Sequence, residues 1–267
     1  MSSKTYIVAW DEVQQNVENI SYQLLRGDLD FLVFDVTTDP KPSKNWVVAN
    51  KVRYYGHFYN SLVDFSYTEH SVFIFNAGDP KYNQFSTFTK KVENLFSADE
   101  NLWALAPDFT NDDFRKDASK IIQSKSNPDL WLSTQTNGVW VALKRELAIK
   151  MLDFMDWMLE TDRLNFTKMV SGWGIDYIYC AWSIYEGKKV YRDWSVTIDH
   201  PDESSYTTGG TEMVAILNSF KEYCDTFEID ATKMQYILET IKSKAAFKNL
   251  LDLKISDIYV NKDLKWD

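Results

Sequence analysis

Apolar positions along the chain fall into short runs that alternate with stretches of helical spacing, the pattern of strands and helices taken in turn. Residues 5–10 (TYIVAW) predict a strand, and Val13, Val17, Ile20 and Leu24 then recur at helical spacing up to a turn at Gly27 and Asp28. Residues 30–36 (DFLVFDV) form a near-continuous apolar run, the mark of a strand covered on both faces. A loop over 39–45 follows, then a helix through Tyr55, Phe58, Leu62 and Phe65. The next strand, 71–75 (SVFIF), stops at Asn76-Ala77-Gly78-Asp79-Pro80.

Beyond that turn the pattern predicts a helix over 82–96, a strand over 102–106, an Asp- and Asn-rich loop over 107–117, and a short helix near Ile121. Residues 131–143 (WLSTQTNGVWVAL) read as a strand pair turning at Asn137-Gly138, since Asn-Gly favours the tight turn of a hairpin. A helix with Leu143, Leu147, Met151, Phe154 and Met158 on one face comes next. The segment GWGID (172–176) then opens an apolar helix with Ile175, Ile178, Tyr179 and Trp182, and a strand after it ends on Asp199-His200-Pro201. From residue 211 the chain is helical in pattern, with Met213, Ile216, Leu217, Phe220 and Cys224 on one face and a second helix from Asp230 to about Phe247.

Strands alternating with helices through the first hundred residues predict an α/β fold with a largely parallel sheet. The second half makes the sheet mixed. The expected division is 1–210 for the main domain and 211–267 for a C-terminal helical appendage packed on it. In such sheets ligands gather at the carboxyl ends of the strands.

Composition narrows the function classes. The chain has 267 residues, 45% hydrophobic and 25% charged, which is ordinary for a globular protein. A net charge of −10 disfavours general capture of nucleic acid. The basic stretches at Lys41, Lys44, Lys51 and Arg53, at Lys144, Arg145 and Lys150, and at Lys242, Lys244, Lys248 and Lys254 read as solvated faces. Ten tryptophans are many for this length, and they fit either a core or a groove for sugar rings or bases. Cys180 and Cys224 lie on apolar helical faces, and the N-terminus lacks a basic-then-apolar signal region, so the expectation is a cytoplasmic protein without a membrane span. There is no G-x-G-x-x-G after the first strand, no P-loop and no G-x-S-x-G elbow. His57, His70 and His200 are scattered, which leaves a site built on carboxylates.

Asp176 falls in the first turn of its helix, where the helix dipole favours the ionised, proton-accepting form; a plain first-turn acid is the alternative. Asp35 and Asp39, at the end of the second strand, suit either contact with a nucleotide's base or ribose or the capping of a loop. Residues 202–211 (DESSYTTGGT) fit a lid or a plain surface loop.

Three pieces, a strand ending on NAGDP, a hairpin feeding a helix at VALKREL, and GWGID followed two dozen residues later by a strand ending in DHP, come in an order and spacing that resembles nucleotide-sugar-dependent glycosyltransferases of the GT-A fold, over roughly residues 5–210. That resemblance implies a Rossmann-like sheet and a donor, a UDP sugar in the first instance, bound with Mn2+ or Mg2+. It implies Asp79 and His200 as cation ligands, Asn76, Trp173 and Gly174 in substrate contact, and Asp176 as the base toward the acceptor hydroxyl. The first motif departs from the family pattern by keeping one acid, Asp79, with Asn76 and Gly78 where carboxylates are usual. Two acceptors remain open: a surface glycan, or 5-hydroxymethylcytosine in phage DNA receiving a hexose or a pentose such as arabinose within the host cytoplasm. The rival class is a non-catalytic module that binds a nucleotide or glycan on a degenerate fold of this kind.

Overall fold

A computed structural model describes residues 1–41, 43–50, 54–109, 120–134, 136, 138–163, 174–199 and 209–242. The strands are β1 (Ser3–Ala9), β2 (Asp30–Asp35), β3 (Trp46–Val48), β4 (Val72–Asn76), β5 (Leu102–Phe109), β6 (Lys120–Gln123), β7 (Leu130–Ser133), β8 (Trp140–Lys144) and β9 (Lys189–Ile198). The helices are α1 (Gln14–Arg26), α2 (Tyr54–Ser66), α3 (Phe85–Ala98), α4 (Arg145–Glu160), α5 (Ile175–Tyr185), α6 (Gly209–Thr226) and α7 (Ala231–Lys242).

Among the described residues these strands form one sheet in the order β3-β2-β1-β4-β8-β5-β9-β7-β6. The β1–β2, β1–β4, β2–β3 and β5–β9 pairs are parallel, and β8 runs antiparallel to both β4 and β5. With β7 antiparallel to β9 and to β6, only β7 and β8 oppose the common direction. The fold is therefore α/β with a mixed, mainly parallel sheet flanked by helices. Helices α1 and α3 pack on each other over one face, and α2 packs against α4 over the other.

Local chemistry accounts for these elements. Val17, Ile20 and Leu24 give α1 a buried stripe, and the helix stops at Gly27, whose N–H donates to the Gln23 carbonyl at 3.0 Å before Asp28 turns left-handed at φ 56°. Under α2 the sheet presents Phe73 and Phe75, which meet Phe58 edge-on at ring separations of 5.6 and 5.2 Å. Arg145, first residue of α4, donates to the carbonyls of Ser66 (2.9 Å), an orphan acceptor at the end of α2, and of His70 (3.0 Å) in the connection to β4. A second aromatic cluster joins α4, α5 and α6 through Phe154, Trp182, Phe220 and Tyr223. Every described tryptophan is buried or half-buried, so the aromatic excess belongs largely to packing.

Four sequence expectations need correction. Residues 120–123 are a strand and no helix forms near Ile121, because this backbone pairs antiparallel with 130–133 and so short a segment cannot carry the cost of helix nucleation. The 131–143 segment is not a hairpin: β7 pairs with β6 and β9 while β8 lies between β4 and β5. The tight connection is instead β6–β7, where Ser124 and Asn127 bond back onto the turn. Leu143 belongs to β8, opposite Phe73, and α4 begins only at Arg145. The expected loop from 107 is strand as far as Phe109, and β9 answers this extension with a bulge, since Pro107 pairs with Asp193 but Asp108 with Thr197.

Helices α6 and α7 fall within the stretch expected as an appendage. Ile216, Leu217, Phe220, Met234, Ile237 and Leu238 are buried in the same apolar cluster as the sheet residues. Residues 209–211 of the expected lid open α6, and 202–208 lie outside the described residues, as does everything after 242.

Candidate functional site

The carboxyl end of β4 carries the first candidate segment. Asn76 is fully buried, and its side-chain carbonyl accepts the Gly78 N–H at 2.7 Å. Gly78 has φ 95°, and a Cβ there would stand 2.0 Å from the Val8 carbonyl oxygen, so the turn lies tight against β1. From α1, Asn16 Nδ2 donates to the carbonyls of Gly78 (2.7 Å) and Pro80 (3.0 Å). The turn is thus held from both sides, with Asp79 half-buried at its tip. Asn76 here organises the turn, and its Nδ2 is buried with no hydrogen-bond partner.

Just past this turn, Lys81 and Asp199 form an isolated antiparallel bridge. The NAGDP segment therefore lies beside the end of β9, the strand that leads to the expected DHP position. His200 itself lies outside the described residues, and so does Trp173.

The second candidate segment reaches the same place through the turn before β8. The Ala77 N–H donates to the Val139 carbonyl at 2.8 Å. One residue earlier, Gly138 O accepts the Tyr54 hydroxyl, and a Cβ on Gly138 would lie 3.8 Å from the Asp176 Cβ. Asp176 is 6% exposed in the first turn of α5. Gly174 caps that helix at φ 102°, where a Cβ would come within 2.6 Å of Ile216 Cγ2. That face of Gly174 is given to close packing on α6.

Around Asp176 the environment is largely enclosed. The Tyr179 hydroxyl bonds to Thr136 Oγ1 at 2.8 Å, and burial first, then the charges of Cys180 and Asp176, holds that phenol well above its usual range. Tyr55 is pushed up in the same way, by burial and then by the charges of Asp176 and Glu212. Both phenols therefore stay protonated. Glu212, buried in the first turn of α6, is thus a second carboxylate near this corner. Tyr54, Tyr55, Gly138 and Glu212 were missed in the sequence, because each reaches the site only through contacts between distant segments.

Asp35 lies at the end of β2 but is fully buried. Its Oδ1 accepts the Thr37 N–H (3.0 Å) and hydroxyl (2.7 Å), and its Oδ2 accepts the Lys41 N–H (3.0 Å). Asp35 thus ties down its own loop, as a loop-capping acid does. Asp39 is exposed, and the neighbouring Thr38 is tied to Asp11 by bonds of 2.6 and 2.7 Å. Asp193 is fully buried and pairs with Lys91 at 2.6 Å. Asp199 is exposed.

Asp79 and Asp199 are the carboxylates on the bridged segments, yet no cluster of three or more His, Cys, Asp or Glu suited to a metal ion occurs among the described residues. The described side chains thus do not complete a cation site by themselves.

No family model matches the chain. No characterised protein matches it by sequence either. Solved structures do match in fold. GalNAc-T7, solved with UDP, GalNAc and Mn2+, is 12% identical with a TM-score of 0.50, over 99% of this chain and 58% of that one. The likeness is one of fold. S. aureus TarS (residues 1–349) is 9% identical with a TM-score of 0.46, over 97% of this chain and 83% of that one. CMP:2-keto-3-deoxy-manno-octonic acid synthetase, complexed with CTP, is 9% identical with a TM-score of 0.45, over 83% of this chain and all of that one. The chain spans little more than half the length of GalNAc-T7.

Proposed function

We propose that the protein is a glycosyltransferase that moves a sugar from a UDP sugar to an acceptor hydroxyl. One observation carries this reading: three segments far apart in sequence, ending in Asp79, opening on Asp176 and leading through Asp199, meet at one end of the sheet through the Lys81–Asp199 bridge, the Ala77–Val139 bond and the close approach of Gly138 to Asp176. Parallel sheets gather ligands at that end. The fold likeness to GalNAc-T7 adds support.

In this reading Asp176 accepts the proton of the attacking hydroxyl. The new bond forms between that oxygen and the sugar's anomeric carbon, and the bond from that carbon to the diphosphate breaks, its electron pair leaving with the UDP. A base in hydrogen-bond reach strengthens the nucleophile, and enclosure of Asp176 by α2, α5 and α6 limits competing water. Asp79 and His200 are the proposed contacts to a divalent cation, whose chemistry would be to neutralise charge on the leaving diphosphate. The net charge of −10 favours a glycan over DNA as acceptor.

The test is a thermal-shift titration with UDP and Mn2+, followed by assay of sugar release to water from UDP-glucose, UDP-galactose, UDP-GalNAc and UDP-arabinose. A ligand at one hundred times its Kd adds about 2.7 kcal/mol of stability. UDP should stabilise the protein in a Mn2+-dependent way, Asp79→Ala should weaken that dependence, and one donor should lose its sugar. UDP binding with no release from any donor would favour the non-catalytic module. No UDP binding at all would overturn both.

A further inference from the structure

Gly78, Gly138 and Gly174 all border the site, and only Gly138 lacks a reason in the backbone. Gly78 and Gly174 have positive φ and leave no room for a Cβ. Gly138 has an ordinary φ that any residue adopts, and a Cβ there would meet, among the described residues, only the Tyr54 hydroxyl at 3.1 Å and the Asp176 Cβ at 3.8 Å. The second is ordinary van der Waals contact, and the first is the end of a side chain. Alanine would fit after a small adjustment.

Its surroundings give the vacancy a direction. Trp140, two residues on, is fully buried in register with Asn76, whereas Gly138 and Val139 are half-buried. The Tyr54 hydroxyl holds the Gly138 carbonyl, and Val139 is held by Ala77, so the turn is fixed at both residues. A side chain at 138 would start in van der Waals contact with Asp176, on a rigid support and from a residue that is only half-buried.

We propose that Gly138 is the acceptor-side gate of the site: its missing side chain leaves the room beside Asp176 through which the hydroxyl enters, and this position sets how bulky an alcohol is accepted. The inference rests on the transferase reading, with Asp176 as the base.

Simple alcohols test it without knowledge of the natural acceptor. The full chain is incubated with Mn2+, the UDP sugar that the wild type hydrolyses, and either methanol or benzyl alcohol, and the ratio of alkyl glycoside to free sugar is measured. The wild type should glycosylate both alcohols. Gly138→Leu should lower the benzyl ratio by about tenfold or more relative to the methanol ratio, the scale on which a pocket discriminates by size. Gly138→Ala should fall between.

If Gly138→Leu does not fold, the pair Gly138→Ala with Tyr54→Phe keeps the test, because the phenylalanine removes the oxygen that the new Cβ would meet. Folded variants whose benzyl-to-methanol preference equals that of the wild type would overturn the gate and leave the transferase reading standing. A wild type that releases sugar from none of the donors would overturn the transferase reading, and the gate with it.

Discussion

Lys81 and Asp199 pair backbone to backbone: the Lys81 N–H donates to the Asp199 carbonyl at 2.7 Å, and the Asp199 N–H to the Lys81 carbonyl at 3.1 Å. The bridge joins the turn after β4 to the end of β9, although β8 and β5 stand between those strands in the sheet. The chain therefore closes over the carboxyl end of the sheet, and Asp79, two residues before the bridge, borders that closure. The enclosure is made by backbone, so its geometry does not depend on which side chains Lys81 and Asp199 present.

The glycine turns should be intolerant in two distinguishable ways. Gly78→Ala places a methyl group 2.0 Å from a backbone oxygen at φ 95°. The left-handed conformation costs about 1–2 kcal/mol and overpacking a further 1–3 kcal/mol or so. Gly174→Ala meets instead a side-chain methyl, Ile216 Cγ2, at 2.6 Å. Its cost should shrink toward the left-handed penalty alone in an Ile216→Ala background. Urea unfolding of the single and double variants measures the coupling, and strict additivity would show that Ile216 is not the obstacle.

Much of this architecture was legible because burial follows local periodicity. Val17, Ile20 and Leu24 announced α1, and the unbroken apolar run of β2 announced a strand covered on both faces. The pairing of β7 and β8 was not legible. WLSTQTNGVWVAL carries the local signal of a hairpin, but the partners of its two halves come from β4, β5, β6 and β9. The surroundings of the candidate residues divide in the same way. The place of Asp176 after a glycine turn was visible in the sequence, while the hydrogen bonds of Asp35 to its own loop and the packing of Gly174 on a distant helix were not, because both come from contacts that no local pattern encodes.

Alkaline stability should carry the signature of Cys224. Burial, with some help from the charge of Asp225, pushes its thiol from 9.0 to about 12. The folded state holds this proton more tightly than the unfolded chain. Its contribution is therefore complete below pH 9 and is lost as pH rises toward about 12. Wild-type stability should fall across this window by up to about 1.4 kcal/mol per pH unit from this group. Cys224→Ser removes the titration, so the stability gap between variant and wild type should narrow as pH rises from 9. A constant gap in urea unfolding over that range would contradict the assignment.

Asp176→Asn is the substitution that separates chemistry from binding. The amide keeps the size of the carboxylate and much of its hydrogen bonding, and at 6% exposure a smaller replacement would leave a cavity that confounds the result. Since the amide cannot take the proton of the attacking hydroxyl, transfer should fall by roughly 10²–10⁴-fold. UDP binding should stay within a few-fold of the wild type, because no bond to the donor depends on that proton. Asp199→Asn is the control: Asp199 is exposed and bonded to Lys81 through its backbone, so its variant should keep most of the transfer activity. Product stereochemistry gives an independent check, since a carboxylate base assisting a single displacement inverts the anomeric centre. Near-normal transfer by Asp176→Asn at saturating donor and acceptor, or an exchange of behaviour between the two variants, would move the base away from Asp176.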